Sequence, residues 1–146
     1  MMNTLEELEA YLDKNCFSFL GLSIGNHRAP EGIVIEKCNE KFIYAYSERG
    51  NQYFIKSFDT EKELVQYAHT ELMKDEWLKA HIVASTLEYK EILEAEKQLV
   101  DMKIKFKRND IPNYRVGRIA YRIFVFGRDI LKLDGFKEKY LHSLRV

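Results

Sequence analysis

Four histidines, two cysteines and a balanced set of 23 acidic and 23 basic side chains are the groups in this chain that could do chemistry, and their spacing limits what that chemistry is. His27, His69, His81 and His142 lie far apart, and Cys16 and Cys38 belong to no CxxC pair, so no zinc-ligand spacing occurs. No HExxH or GxSxG pattern is present, and no Gly-rich phosphate loop follows a strand. The loop GNHRAPEG, residues 25–32, has Gly at both ends and Pro30 inside, which suits a sharp turn with His27 and Arg28 in solvent. It leads into a strand pattern, so no helix N-terminus is at hand to supply free amides to a phosphate. Glu48 and Arg49 sit at an expected hairpin tip, where adjacent charges are solvated. These patterns point away from an enzyme and imply no cofactor and no metal.

Two charged groupings remain as binding candidates. Glu71, Asp75, Glu76, Glu88, Glu91 and Glu94 form an acidic set, with Trp77 beside them as an aromatic anchor of the kind protein interfaces use. Lys103, Lys105, Lys107, Arg108, Arg115, Arg118, Arg122 and Arg128 form a basic set interleaved with Phe106, Tyr114 and Tyr121. Cations hold phosphates and aromatic rings stack on unpaired bases, so this second set suits nucleic acid. Residues 1–100 carry 18 acidic against 11 basic side chains, and residues 101–146 carry 5 against 12. Such asymmetry marks either a charged binding surface or a basic tail folded against an acidic body. The net charge of zero weighs against nucleic acid, whose binding domains commonly have a pI above ~9.

The elements that position these groups follow from periodicity. A hydrophobic content of 46% over 146 residues suits one domain. Thr4 and Glu7 make a capping box for a first helix with Leu5, Leu8, Tyr11 and Leu12 on one stripe. Phe17 to Ile24 alternates as a strand. Ile33 to Cys38, Lys41 to Ser47 and Gln52 to Phe58 form an antiparallel meander, because two-residue linkers forbid a parallel crossover. In the second of these, Phe42, Tyr44 and Tyr46 share one face. In the turn Glu48-Arg49-Gly50-Asn51, Gly50 and Asn51 are the residues suited to positive φ.

Thr60 and Glu63 cap a second helix with Leu64, Val65, Ala68 and Leu72 inward. It is expected to break near Lys74, with Asp75 capping a fresh helical stretch that carries Leu78, His81 and Ile82. Ser85 and Glu88 suggest a third helix with Tyr89, Ile92, Leu93, Leu99 and Val100 inward and an acidic outer face. Met102 to Lys107 then alternates as a strand with a cationic face, and residues 108–117 form a loop. Arg118 to Phe126 is a strand apolar on both faces, hence central and covered on each side. Asp129 to Leu144, interrupted at Gly135, supplies a short helical end. The fold class is α+β: an antiparallel β-meander and a C-terminal β-hairpin, packed with an N-terminal helix and two to three central helices. No run approaches the ~18 apolar residues of a membrane span. The opening MMNTLEELEAYL is acidic where a signal peptide is basic, so a cytoplasmic location and reduced thiols are expected.

The stretch IEKCNEKFIYAYSERGNQYFIKSFDTEKEL, with FKRNDIPNYRVGRIAYRIFVFGRDI further on, resembles the small immunity proteins encoded beside bacterial polymorphic toxins. The shared features are a strand, the hairpin turn Glu48-Arg49-Gly50, a strand entering a helix through an acidic cap, and the later strand Tyr121 to Asp129. They cover about 55 residues between positions 35 and 130. The resemblance implies a non-enzymatic cytosolic protein that binds one cognate toxin domain and occludes its active site. Its motifs are fold-forming and carry over no toxin-contact residues. Carboxylates that occupy the place of a substrate's phosphates would give such an inhibitor fast, steered association.

Overall fold

The computed structural model describes residues 2–144. The chain is α+β and packs as two compact units, Met1–Lys79 and Ala80–Val146, each with its own buried cluster. Composition alone suggests one domain over the same residues. No helix among the described residues is long and apolar enough to cross a membrane.

In the first unit, helix α1 (Leu5–Lys14) starts at the expected capping box. Thr4 Oγ1 accepts from the Glu7 amide at 3.1 Å, and Glu7 Oε1 accepts from the Thr4 amide at 3.1 Å. Leu8 and Leu12 are fully buried. The predicted strand from Phe17 survives only as β1 (Leu22–Ile24). Its first half is held otherwise: Cys16 leaves the helix at φ 56°, the Phe17 amide donates back to Leu12, and Leu20 is exposed.

Strands β2 (Gly32–Cys38), β3 (Lys41–Glu48) and β4 (Asn51–Phe58) form the expected meander, in the sheet order β1-β2-β3-β4. The short β1 pairs with β2 in parallel, Ile24 beside Ile35. At the hairpin tip positive φ falls on Arg49 and Gly50, one residue earlier than expected, because the two central residues of a primed turn take it. Helix α2 (Glu61–Leu72) is capped by Thr60 and buries Leu64, Val65, Ala68 and Leu72. These join Leu8, Leu12, Ile35 and Tyr44 in one core, with Phe42 and Phe58 packed at its margin.

After α2 the chain does break as expected, and Asp75 Oδ1 accepts from the Trp77 amide at 3.0 Å. In place of the predicted helical stripe come a single 3₁₀ turn, Glu76–Lys79, and then strand β5 (Ala80–Thr86). The β-branched run Ile82-Val83 and an available partner override the helical spacing of Leu78, His81 and Ile82. That partner is β8 (Arg118–Phe126), with His81 opposite Val125.

In the second unit, helix α3 (Tyr89–Asp101) begins after Glu88 without a side-chain cap. Ser85 lies in β5, and Thr86 Oγ1 instead accepts from the Glu88 amide at 3.0 Å. The helix runs on through Asp101, which removes Met102 and Lys103 from the predicted strand and leaves β6 as Phe106–Arg108 only. The expected loop contains β7 (Ile111–Arg115), which pairs with β8 across a tight turn, and β6 pairs antiparallel with β8 as well. Strand β8 is central, between β5 and β6. Ala120, Ile123 and Val125 are buried on it, while Phe124 and Phe126 are only half-buried, so the cover on that second face is partial. A 3₁₀ segment, Gly127–Lys132, leads to α4 (Phe136–Tyr140), entered at Gly135 with φ 80°.

Candidate functional site

The acidic candidates divide between the two units. In the first, Glu71 ends α2 and pairs with Lys74 Nζ at 3.1 Å. Asp75 is occupied by the turn it caps, Glu76 lies on that turn, and Trp77 is exposed beside it. Asp75 is therefore structural, and Trp77 supplies the apolar surface of this group.

In the second unit, Glu88, Glu91 and Glu94 line the start of α3 and border a shallow depression of about 440 Å³ with Lys139, Tyr140 and His142. Each carboxylate has a polar partner: Glu88 pairs with Arg118 at 3.3 Å, Glu94 pairs with Lys139 at 3.4 Å, and Glu91 is hydrogen-bonded to the His142 ring. On these exposed positions solvent screens such pairs, and they contribute little to stability. The basic tail thus folds against the acidic helix, within this unit.

The cations of the nucleic-acid reading are similarly engaged. Arg108 forks onto Asp110, with Nε to Oδ1 at 2.9 Å and Nη2 to Oδ2 at 2.6 Å, and reaches Glu96 at 3.0 Å. The hydrogen bonds from Arg108 outweigh burial and hold the Asp110 carboxyl below the usual aspartate value. Arg122 donates to the Asn109 carbonyl and side chain at 2.8 and 2.7 Å. Arg115 donates to the Leu144 carbonyl, and Lys107 lies over the Phe126 ring. Lys103, Lys105 and Lys107 do not share a strand face: Lys103 turns out of α3 at φ 59° and only Lys107 lies in β6.

The largest departure on α3 concerns apolar residues. Spacing predicts Tyr89, Ile92, Leu93, Leu99 and Val100 inward; the buried set is Ile92, Ala95 and Leu99, while Tyr89, Leu93 and Val100 are exposed. At about 100° per residue, Tyr89, Leu93 and Val100 fall on one flank and Glu91 and Glu94 on the other, with Lys90 and Lys97 between them. The Tyr89 ring leans on Tyr121 at 5.4 Å between centroids, which fixes one end of the stripe. The overlooked signal is Ala95: a small residue in register with Ile92 and Leu99 lets the helix lie close, and so defines the inward face.

Among the described residues no group of three or more His, Cys, Asp or Glu is placed to hold a metal ion. No protein-family model matches the chain, and neither a curated protein nor a solved structure matches it.

Proposed function

We propose that the protein works by binding another protein, as an immunity-type inhibitor that occludes the active site of a cognate bacterial toxin domain. The observation that carries protein binding is the α3 stripe: Tyr89, Leu93 and Val100 are exposed at helical spacing, bordered by charged side chains. Apolar anchors inside a charged rim are the usual anatomy of a protein-binding patch. Glu88, Glu91 and Glu94 on the other flank then steer a basic toxin surface, and Trp77 is a second anchor on the first unit. The toxin as partner comes from the sequence resemblance. Nucleic acid is the competing partner, and it is disfavoured because Arg108, Arg118 and Arg122 are already bound to acceptors of their own unit.

The test is a binding titration against the C-terminal domain of the toxin encoded next to it, with unrelated RNA and DNA in parallel at low and moderate salt. Wild-type protein is expected to bind the toxin domain alone, and Leu93→Lys to weaken that binding by roughly tenfold or more. Charge reversal at Glu88 and Glu91 together should chiefly slow association. Salt-sensitive binding to nucleic acid, without affinity for the toxin domain, contradicts the proposal.

A further inference from the structure

Strand β4 ends its sheet, and among the described residues no strand pairs with its outer edge. An open edge presents unpaired N–H and C=O groups to any extended chain, and proteins usually blunt such edges with charge, proline or short length. This one is eight residues long, contains no proline and has a single charge, Lys56. Lys56 does not guard the edge either, since its ammonium is drawn back over the Tyr67 and Phe58 rings, at 5.2 and 5.6 Å from their centroids.

The side chains add an apolar surface. Tyr53, Phe54 and Ile55 are 54%, 64% and 54% exposed, and Tyr46, directly opposite Tyr53, is 41% exposed. Three consecutive exposed apolar residues break the rule that alternate residues of a covered sheet turn inward. Residues 51–57 are exposed on both faces of the strand, and a bulge adds to this: pairing steps from Ala45 with Phe54 to Tyr44 with Lys56, which leaves Ile55 without a partner on β3. Phe54 and Ile55 consequently both border a shallow depression beside Ile43 and Cys38.

We propose that this edge is covered by β4 of a second copy of the chain, antiparallel about a two-fold axis, so that two four-stranded sheets become one of eight. Identical edges whose one charge, Lys56, is drawn back over aromatic rings are self-complementary under that symmetry, and an isologous contact closes at two copies. The opposite edge, β1, has only three residues and offers no comparable template for continued growth. A half-exposed aromatic leaves on the order of 100 Å² to bury. If fully covered, Tyr46, Tyr53, Phe54 and Ile55 would supply at most about half of the ~800 Å² per partner of a standard interface, with the backbone edge and its polar ends adding to it. This inference is independent of the toxin proposal, which rests on α3 in the other unit.

The experiment is sedimentation of the full chain over a concentration series spanning the micromolar range, with Phe54→Lys alongside. Wild-type mass should rise toward twice 17.3 kDa. Phe54→Lys should stay monomeric and weaken association at least tenfold. A wild-type protein monomeric throughout overturns the proposal, and so does a folded Phe54→Lys that still dimerises. If that variant fails to fold, hydrogen exchange on the wild type decides: amides of residues 51–58 that slow with concentration support pairing through β4, and amides indifferent to concentration overturn it. Protection that appears only on adding the toxin domain assigns the edge to the toxin and also overturns it.

Discussion

Glu9 shows how much local structure one carboxylate can hold. From α1 it accepts from the Asn26 amide at 2.8 Å and from the His27 ring at 2.7 Å, and His27 in turn stacks on Phe19 with centroids 3.6 Å apart. Sequence reasoning puts His27 in solvent because nothing in a loop's composition reveals a carboxylate 18 residues earlier. Burial opposes ionisation of Glu9, but these hydrogen bonds outweigh it and hold the carboxyl below its ordinary 4.5. A lowered folded-state pKa means the stabilisation is full above about pH 4.5 and disappears as pH falls through the folded value. Urea unfolding between neutral and acid pH should therefore show Glu9→Gln less stable than wild type at pH 7, by about 1 to 3 kcal/mol, with the two converging in acid. Asp110 is the matching residue in the second unit, gripping Arg108 and accepting from the Arg122 amide at 3.2 Å. Asp110→Asn should cost about as much and should release Arg108 from its fork; a gain in nucleic-acid affinity in that variant would reveal a surface the pair had masked.

Elements are legible where a local signal decides them. Thr4 and Thr60 cap the helices that the sequence assigns to them, and Thr60→Ala should lower stability by about 1 kcal/mol in denaturant unfolding. The meander is readable from period-two alternation and two-residue turns. Two misreadings come from a long-range partner: Ala80–Thr86 has helical spacing but joins β8, and Ile111–Arg115 has loop composition but pairs with the same strand. On α3 the inward face is misjudged because Tyr89, Leu93 and Val100 are apolar without being core, which spacing alone does not reveal. The join between β1 and β2 is equally hidden. Gly32 has φ 115°, and a Cβ there would sit 2.1 Å from the Gly21 carbonyl oxygen. Gly50 has φ 80° with open space around it. Gly50→Ala should cost about 1 to 2 kcal/mol for the left-handed backbone alone. Gly32→Ala should cost clearly more, and equal thermal shifts in the two variants would contradict the close approach.

At the scale of the whole molecule, two buried clusters imply two centres of stability. Leu64→Ala and Leu99→Ala each remove a fully buried side chain, one from each cluster, and each should cost roughly 2 to 5 kcal/mol. Hydrogen exchange should show Leu64→Ala loosening chiefly residues 2–79 and Leu99→Ala chiefly residues 80–144; uniform loosening in both variants would mean that the units unfold as one. Charge divides between the same stretches of chain: residues 1–79 carry 14 acidic against 9 basic side chains and residues 80–146 carry 9 against 14, even though Glu96, Glu88 and Glu94 pair with Arg108, Arg118 and Lys139. Neutralisation of a toxin by direct binding is the proposed function. Its test is to titrate the purified protein into the active C-terminal domain of a candidate cognate toxin while monitoring that domain's own activity. A linear fall to near zero at a fixed stoichiometric ratio is expected, with Leu93→Lys shifting the curve to higher protein. Undiminished toxin activity at a large excess of wild-type protein would contradict it.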